Sequence, residues 1–468
     1  MGKLYDTLVE YGKSDMVPLH MPGHKRIGMK FENPYCFDIT EIDGFDNLHH
    51  AGGILKDAQE HAAKVCGADE THFMVNGSTG GILSALFSAT KQGGEILMAR
   101  NCHRSVYHGV ELRQLTPHYL YPETLEEGIL GEITAEMAEK AMEEYPGAKT
   151  LILTSPTYDG VVSDIRKIVN AAHAKGVTVI VDEAHGAHFL KGSGFCESAV
   201  TCGADLVIQS THKTLPALTQ TALIHVNSAY PEKERLLKYL SVFQTSSPSY
   251  VLMASIDSAM YWYEEEGKRA YGNYLIRLRR LRASLEKELC HLQLLTPCRA
   301  FDYDISKILI STRSCNLSAA ELHQRLLKND RIQSEMVSSD YVLFMTSVAD
   351  TDEFYDRFLK ALLKIDRELE TAAALKTVPE SQVRPKLSME ISLAAEKNKK
   401  AVPLLESVGK ISASYVVVYP PGIPILTPGE IIDSQCADML RRDLENHLEV
   451  LGLTEEGEIE IVWEKSFT

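Results

Sequence analysis

The apolar positions change their period along the chain. Ile54, Ala58, His61, Ala62 and Val65 recur at helical spacing and Gly67 follows as a stop signal, so this stretch is predicted as a helix. From about residue 70 to 230 the pattern becomes short apolar runs separated by helical segments. Glu95–Ala99, Thr150–Thr154, Thr178–Val181 and Leu206–Ile208 read as buried strands, and Arg166–Lys175 as an intervening helix. This alternation predicts an α/β fold with a mostly parallel central sheet covered by helices. Tyr250–Glu265 and Tyr274–His291 read as long helices leading out of the sheet. Ile305–Ser311 and Tyr341–Ser347 read as strands of a smaller α+β unit. The expected organisation is an N-terminal helix and loop arm over 1–50, a major domain over 51–300, a small domain over 301–367, a polar linker over 368–386 and a C-terminal domain over 387–468.

A chain of 468 residues, 44% apolar and 24% charged, has an ordinary globular composition and room for more than one domain. The net charge of −16 argues against nucleic-acid binding. Its main effect is on solubility, with a weak, salt-screened attraction for cations. Nine cysteines lie scattered without a C-x-x-C pair, as expected of free thiols in a reducing cytosol. Met1–Glu10 carries charges throughout, unlike a secretory leader, and no apolar run has the length of a membrane span. A cytoplasmic protein without membrane contact is the expectation. Asp6 stands where a myristoylation motif needs Ser or Thr.

The candidate chemistry gathers at strand ends. Gln209-Ser210-Thr211-His212-Lys213-Thr214 follows Leu206–Ile208 and sets a lysine just past a strand's carboxyl end, where ligands of open α/β sheets bind. Such a lysine can form a Schiff base with an aldehyde cofactor, and the neighbouring hydroxyls can hold a phosphate. The combination suggests pyridoxal phosphate. That cofactor needs a carboxylate to keep its pyridine nitrogen protonated, and Asp182 closes the strand of Val177-Thr178-Val179-Ile180-Val181. Asn76-Gly77-Ser78-Thr79 precedes an apolar helix and offers backbone amides to a phosphate. Ser78, Thr79, Ser210 and His212 are therefore candidate phosphate ligands, although Ser78 and Thr79 can also cap the helix. Asp182-Glu183-Ala184-His185 also spells a helicase-type box, but the loop that box requires is missing, since Thr7 stands where the glycine before Gly12-Lys13-Ser14 should be. Cys102 reads as a packed small hydrophobe, and the histidines lack metal-ligand spacing.

Ser210-Thr211-His212-Lys213, Asp182-Glu183-Ala184-His185, Asn76-Gly77-Ser78-Thr79 and Asn101-Cys102-His103-Arg104-Ser105 together resemble the ornithine/lysine/arginine decarboxylases. His20-Met21-Pro22-Gly23-His24-Lys25 and Tyr419-Pro420-Pro421-Gly422-Ile423-Pro424 are similar to segments of the same family, and the likeness runs from about residue 4 to 460. The resemblance implies an aspartate-aminotransferase-like fold and pyridoxal-phosphate-dependent loss of CO₂ from arginine, lysine or ornithine. It implies that Lys213 carries the cofactor, that Ala184 and His103 pack on the two ring faces, and that His185 lies near the cofactor's phenolic oxygen. Lys213 or His212 then returns a proton to Cα. His20 and His24 are expected at the mouth of the site. Thr245 or Ser246 is expected to reach the partner's phosphate in a homodimer with shared active sites. The chain starts close to the family's first helix, so a dimer without the large members' extra N-terminal domain is expected. The distal cation of a basic substrate needs a carboxylate; Asp46, Asp159 and Glu430 are candidates, with Glu430 favoured by its Pro-Gly-rich approach. An aminotransferase, another lyase of this fold or a silent cofactor binder are the rival readings.

Overall fold

The apolar runs between residues 70 and 226 build one seven-stranded sheet in the computed structural model of the chain. Its described residues are 2–27, 32–371, 383–420, 422–445 and 448–463. The strand order across the sheet is Glu70–Met74, Ala222–Val226, Leu206–Gln209, Thr178–Asp182, Thr150–Thr154, Glu95–Ala99 and Thr116–Leu120. Ala222–Val226 runs antiparallel to both its neighbours, and the remaining pairings are parallel. Leu151, Ile152, Leu153, Val179, Ile180 and Val181 have no exposed surface, because helices cover both faces of a parallel sheet. The expected fold class is the observed one.

Residues 54–66 form the expected helix, and Gly67 ends it at φ 73°, donating its N–H to Ala63 and Lys64. The two long helices expected beyond residue 250 are one continuous run. Tyr250–Trp262 passes through a π-helical turn, Tyr263–Gly267, into Lys268–Glu288. Gly267 and Gly272 weaken helix propensity there, but Tyr263, Tyr271 and Tyr274 are all buried on one packed face, and that packing overrides the local preference.

The small domain is an antiparallel sheet of Gln293–Leu295, Lys307–Ser311, Tyr341–Met345 and Met336–Val337, backed by the helices Ala319–Asn329 and Asp352–Asp366. The N-terminal segment is more than an arm. After the helix Lys3–Lys13, Val17–Leu19 pairs in parallel with Ile332–Ser334, so the chain start is stitched into the small domain. Most of the expected linker, residues 372–382, lies outside the described residues. The C-terminal domain pairs Lys399–Pro403 with Glu458–Val462 and lays Val416–Val418 between Ile423–Leu426 and Val450–Leu451.

Candidate active site

Lys213 sits in the one-turn helix Thr211–Thr214, directly after the strand Leu206–Gln209. Burial pushes its amine below the ordinary lysine range, while Asp182 and Glu335 pull it back up. Asp182 ends the adjacent parallel strand, in register with Ile208, and is 2% exposed. Burial raises its carboxyl above the usual range, and the Lys213 cation and the Ala184 N–H, donated at 3.1 Å, oppose that shift. Nζ of Lys213 lies 3.0 Å from Nε2 of His185. Burial holds His185 well below the ordinary histidine range, and its buried Nδ1 has no partner among the described residues.

His103 caps the helix Arg104–Arg113. Its Nδ1 accepts the Ser105 N–H at 3.2 Å and lies 2.9 Å from the Ser105 hydroxyl. An accepting Nδ1 assigns the proton to Nε2. Burial, then the Lys213 cation, push His103 down to about 3, so the ring is neutral at any working pH. His212 lies 2.8 Å from the Thr221 carbonyl through Nδ1, which must therefore donate and leaves Nε2 free. Burial takes His212 down to about 4.

The candidate phosphate ligands cluster because two segments share one anchor. Gly77, at φ 66°, donates its N–H to Gln220 at 2.9 Å, and His212 is fixed to the next residue, Thr221. Ser78 and Thr79 open the helix Gly77–Ala89, which has no capping side chain. The Ser210 hydroxyl is wholly buried and has no partner among the described residues, as do Thr214 Oγ1 and Asn101 Oδ1. Unused buried hydroxyls beside an uncapped helix N-terminus suit a phosphate dianion.

The segment of Gly23 closes the other side. Gly23 donates its N–H to the His212 carbonyl at 2.8 Å, and a Cβ at that position would lie 2.8 to 3.0 Å from backbone atoms of Leu215, Thr214 and Lys213. Only glycine lets the two strands of chain approach so closely. His24 follows, half-buried, with Nδ1 accepting the Arg26 N–H at 3.0 Å; burial and the neighbouring Lys25 lower it.

Glu430 and Asp46, two of the three carboxylates expected for the distal cation, do not join this cluster, and two unexpected residues lie against it. Glu430, expected to meet the substrate's cation, is fully buried and paired with Arg100 at 3.2 Å while accepting the Thr427 N–H at 2.8 Å. Its charge is already matched, so that assignment is corrected. Asp46 accepts backbone N–H groups of Asn47, Gly52, Gly53 and Leu55 and is likewise a structural acceptor. Among the described residues Thr245 bonds to His49 and Ser247, and not to the Lys213 cluster of its own chain. Asp159 accepts the Tyr341 hydroxyl at 2.7 Å and lines a cleft of about 920 Å³ between the domains. Glu335 was not singled out by the sequence. It accepts the Met21 N–H at 2.8 Å and the Tyr158 hydroxyl, and the Tyr158 ring packs edge-on against His185 at 4.7 Å. Lys25 was missed too; it is 2% exposed and donates to the carbonyls of His20 and Met345 at 2.7 and 2.8 Å. No local signal marks Glu335, and the motif that ends in Lys25 does not disclose its partners; the small domain folding against the Met-Pro-Gly-His segment brings both in.

Comparison with known proteins decides the family. The model of the Orn/Lys/Arg decarboxylase major domain matches residues 2–353, and that of the C-terminal domain of the same enzymes matches 367–448. The chain belongs to the Orn/Lys/Arg decarboxylase family. It is 34% identical to an arginine decarboxylase of Bacillus subtilis over 464 residues, covering 96% of this chain and 95% of the relative. It is 33% identical to an arginine decarboxylase of Halalkalibacterium halodurans over 468 residues, covering 96% and 94% of the two. Among solved structures, the Francisella novicida lysine decarboxylase superposes with a TM-score of 0.80 at 20% identity, over 98% of this chain and 80% of that one. Family membership carries the reaction class, decarboxylation of a basic amino acid. Among the described residues no helix is long and apolar enough to cross a membrane, and no group of side chains could hold a metal ion.

Proposed function

We propose that this chain is a pyridoxal-phosphate-dependent arginine decarboxylase that works as a cytoplasmic homodimer. The observation that carries the reading is Lys213, part-buried just past one strand, beside the buried Asp182 at the end of the next, flanked by hydroxyls that have no partner among the described residues. Arginine is preferred over lysine or ornithine because the full-length relatives at 33–34% identity include two arginine decarboxylases.

The residues present fit the cofactor. Lys213 would carry it, Ser78, Thr79, Ser210 and His212 would hold its phosphate, and Ala184 and His103 would flank its ring. When bound, the cofactor supplies an electron-poor ring that takes up the electron pair left as CO₂ departs.

The chain's own groups divide the remaining work. Asp182 sits in a dry position that disfavours its charge unless a cationic partner matches it, which suits it to face a protonated pyridine nitrogen. Burial pushes the Lys213 amine below its ordinary range, which eases its loss of a proton, and Cα of the substrate is the atom it would reprotonate. His103 stays neutral, so it covers the site without adding a competing cation. His185, in contact with both Lys213 and Tyr158, sets the position of the amine. Glu335, oriented by Tyr158 and the Met21 N–H, replaces Glu430 as the carboxylate for the substrate's distal cation.

Thr245 is exposed and engages none of its own chain's site, which suits a role in the neighbouring subunit. Nine free cysteines are in keeping with the cytoplasm. The test is a product assay. Reconstituted protein is supplied separately with arginine, lysine and ornithine, and CO₂ and amine are measured. Agmatine formed with the highest kcat/KM is expected. Preference for lysine would move the substrate assignment, and no CO₂ from any of the three would end the decarboxylase reading.

A further inference from the structure

The corrected Glu430 belongs to an assembly that the reaction scheme above leaves unused. Arg100 follows the strand Glu95–Ala99 and stands three residues before His103. Its guanidinium is almost wholly buried and crosses into the C-terminal domain. It donates through Nη1 to the Pro424 carbonyl at 2.5 Å, through Nη2 to the Ile425 carbonyl at 2.9 Å, and pairs with Glu430 at 3.2 Å. The Tyr107 and Tyr119 rings lie 5.5 and 5.4 Å from its centre. These contacts tie down the strand Ile423–Leu426, and with it the turn at Gly422 that enters it.

That turn carries Gly422, and Gly422 lies against His103. Its carbonyl accepts the Arg104 N–H at 3.0 Å. A Cβ on it would lie 3.1 Å from Cδ2 and 3.2 Å from Nε2 of the imidazole, and its φ is 83°. The ring is thus held on two sides. Ser105 holds Nδ1, and the backbone of the C-terminal domain backs the Nε2 edge.

We propose that the C-terminal domain positions the imidazole of His103, with the Arg100–Glu430 ion pair clamping the turn whose Gly422 abuts the ring. The inference rests on the reading of His103 as the group that covers the cofactor ring. It makes Arg100, Glu430 and Gly422 positioning residues: none touches substrate, and each acts through the orientation of His103. A buried ion pair is a weak source of net stability, because desolvation offsets much of the attraction, but it is geometrically demanding. A clamp needs that property more than it needs strength.

The design of the test follows from the same fact. Removing one charge, as in Glu430→Gln, strands the other in the interior and can destabilise the chain for reasons unrelated to catalysis. The informative variant is therefore Arg100→Met/Glu430→Leu, which removes both charges together with the hydrogen bonds Arg100 donates to Tyr107, Pro424 and Ile425 and the one Glu430 accepts from the Thr427 N–H. Gly422→Ala is the independent probe, since it leaves the ion pair intact and crowds the ring directly. Each is made in the full-length, cofactor-loaded protein. Three quantities are measured: kcat and KM, hydrogen exchange of the Ile423–Leu426 amides, and the His103 titration by ¹³C-histidine NMR, assigned with His103→Gln.

For the double variant we expect kcat to fall about 10- to 100-fold with KM within about threefold, as for a misplaced but present group. Faster exchange at Ile423–Leu426 and a His103 titration moved up toward the ordinary histidine range should accompany it. Gly422→Ala should lower kcat and shift the His103 resonances while Ile423–Leu426 stays protected. A double variant with wild-type kcat and an unmoved His103 titration overturns the proposal. So does a Gly422→Ala protein with unchanged His103 resonances, and that arm remains decisive if the double variant does not fold. Wild-type protein that binds no cofactor would instead defeat the underlying reading, and the exchange and titration data would still report whether the clamp exists.

Discussion

Nζ of Lys213 and Nε2 of His185 stand 3.0 Å apart, so the amine that would carry the cofactor is held by an imidazole that burial keeps uncharged. Lys213→Ala should remove the visible absorption of the loaded protein and reduce turnover by about 1,000-fold or more. His185→Phe keeps a ring against Tyr158 but loses the contact to the amine; it should retain the colour and lose on the order of 100-fold in kcat. Absorption spectra and steady-state rates on the two variants check this. An unaltered spectrum in Lys213→Ala would remove Lys213 from its role.

Glu335 should set affinity for the distal cation. Glu335→Gln preserves an acceptor for the Tyr158 hydroxyl and removes the charge. The loss of one charge-assisted contact, roughly 1.5 to 3 kcal/mol, corresponds to a rise in KM for arginine of about 10- to 100-fold. The kcat should change much less, because the contact exists before and during the reaction alike. A KM left within twofold of wild type would return the distal subsite to Asp159 or to another acid.

Gly23→Ala tests the closest backbone approach in the site. The added methyl meets the carbonyl oxygens of Leu215 and Lys213 at 2.8 and 3.0 Å, and backbone atoms there cannot step aside as a side chain would. Overpacking of this kind costs about 2 kcal/mol. The variant should show a lower urea midpoint together with weaker retention of cofactor. Full retention at a lowered midpoint would mean that the Lys213 turn does not depend on the Gly23 segment.

Acid should destabilise the fold through its buried neutral histidines. His225 is 2% exposed, lies 2.8 Å from Thr71 Oγ1 and 3.0 Å from Gln209 Oε1, and burial takes it down to about 3. The unfolded chain, with an ordinary value near 6.5, binds more protons between pH 6.5 and 3. Stability from keeping His225 neutral is thus fully present above pH 6.5 and drains away as pH falls toward 3. At pH 5 the loss amounts to about 2 kcal/mol for this residue. Urea midpoints at pH 7 and pH 5 should show a smaller drop for His225→Asn than for wild type. Equal drops would exclude His225 as a contributor.

Much of the site could be read from strand ends. Asp182 closes, and Lys213 follows by one short turn, a run of residues buried on both faces, a pattern that local sequence displays openly. Glu70–Met74, Thr116–Leu120 and Ala222–Val226 were less legible. The first two are edge strands interrupted by Thr71, His72, Pro117 and His118, and the third hides a histidine whose partners lie on other strands. Lys25 and Glu335 escaped because their neighbours come from distant parts of the chain, Lys25 reaching Met345 and Glu335 reaching Met21. Glu430 was misread for the same reason. Its Pro-Gly approach is visible locally, whereas its counterion lies 330 residues away.

The anchoring of both Gly77 and His212 on the dipeptide Gln220-Thr221 has a practical meaning. A helix start and a lysine turn more than 130 residues apart in sequence hang from one peg, and Gln220 occupies it in a left-handed conformation, φ 83°, that suits glycine better. Grip on the cofactor can thus be tuned at a position that performs no chemistry, and errors there loosen both halves of the cradle at once.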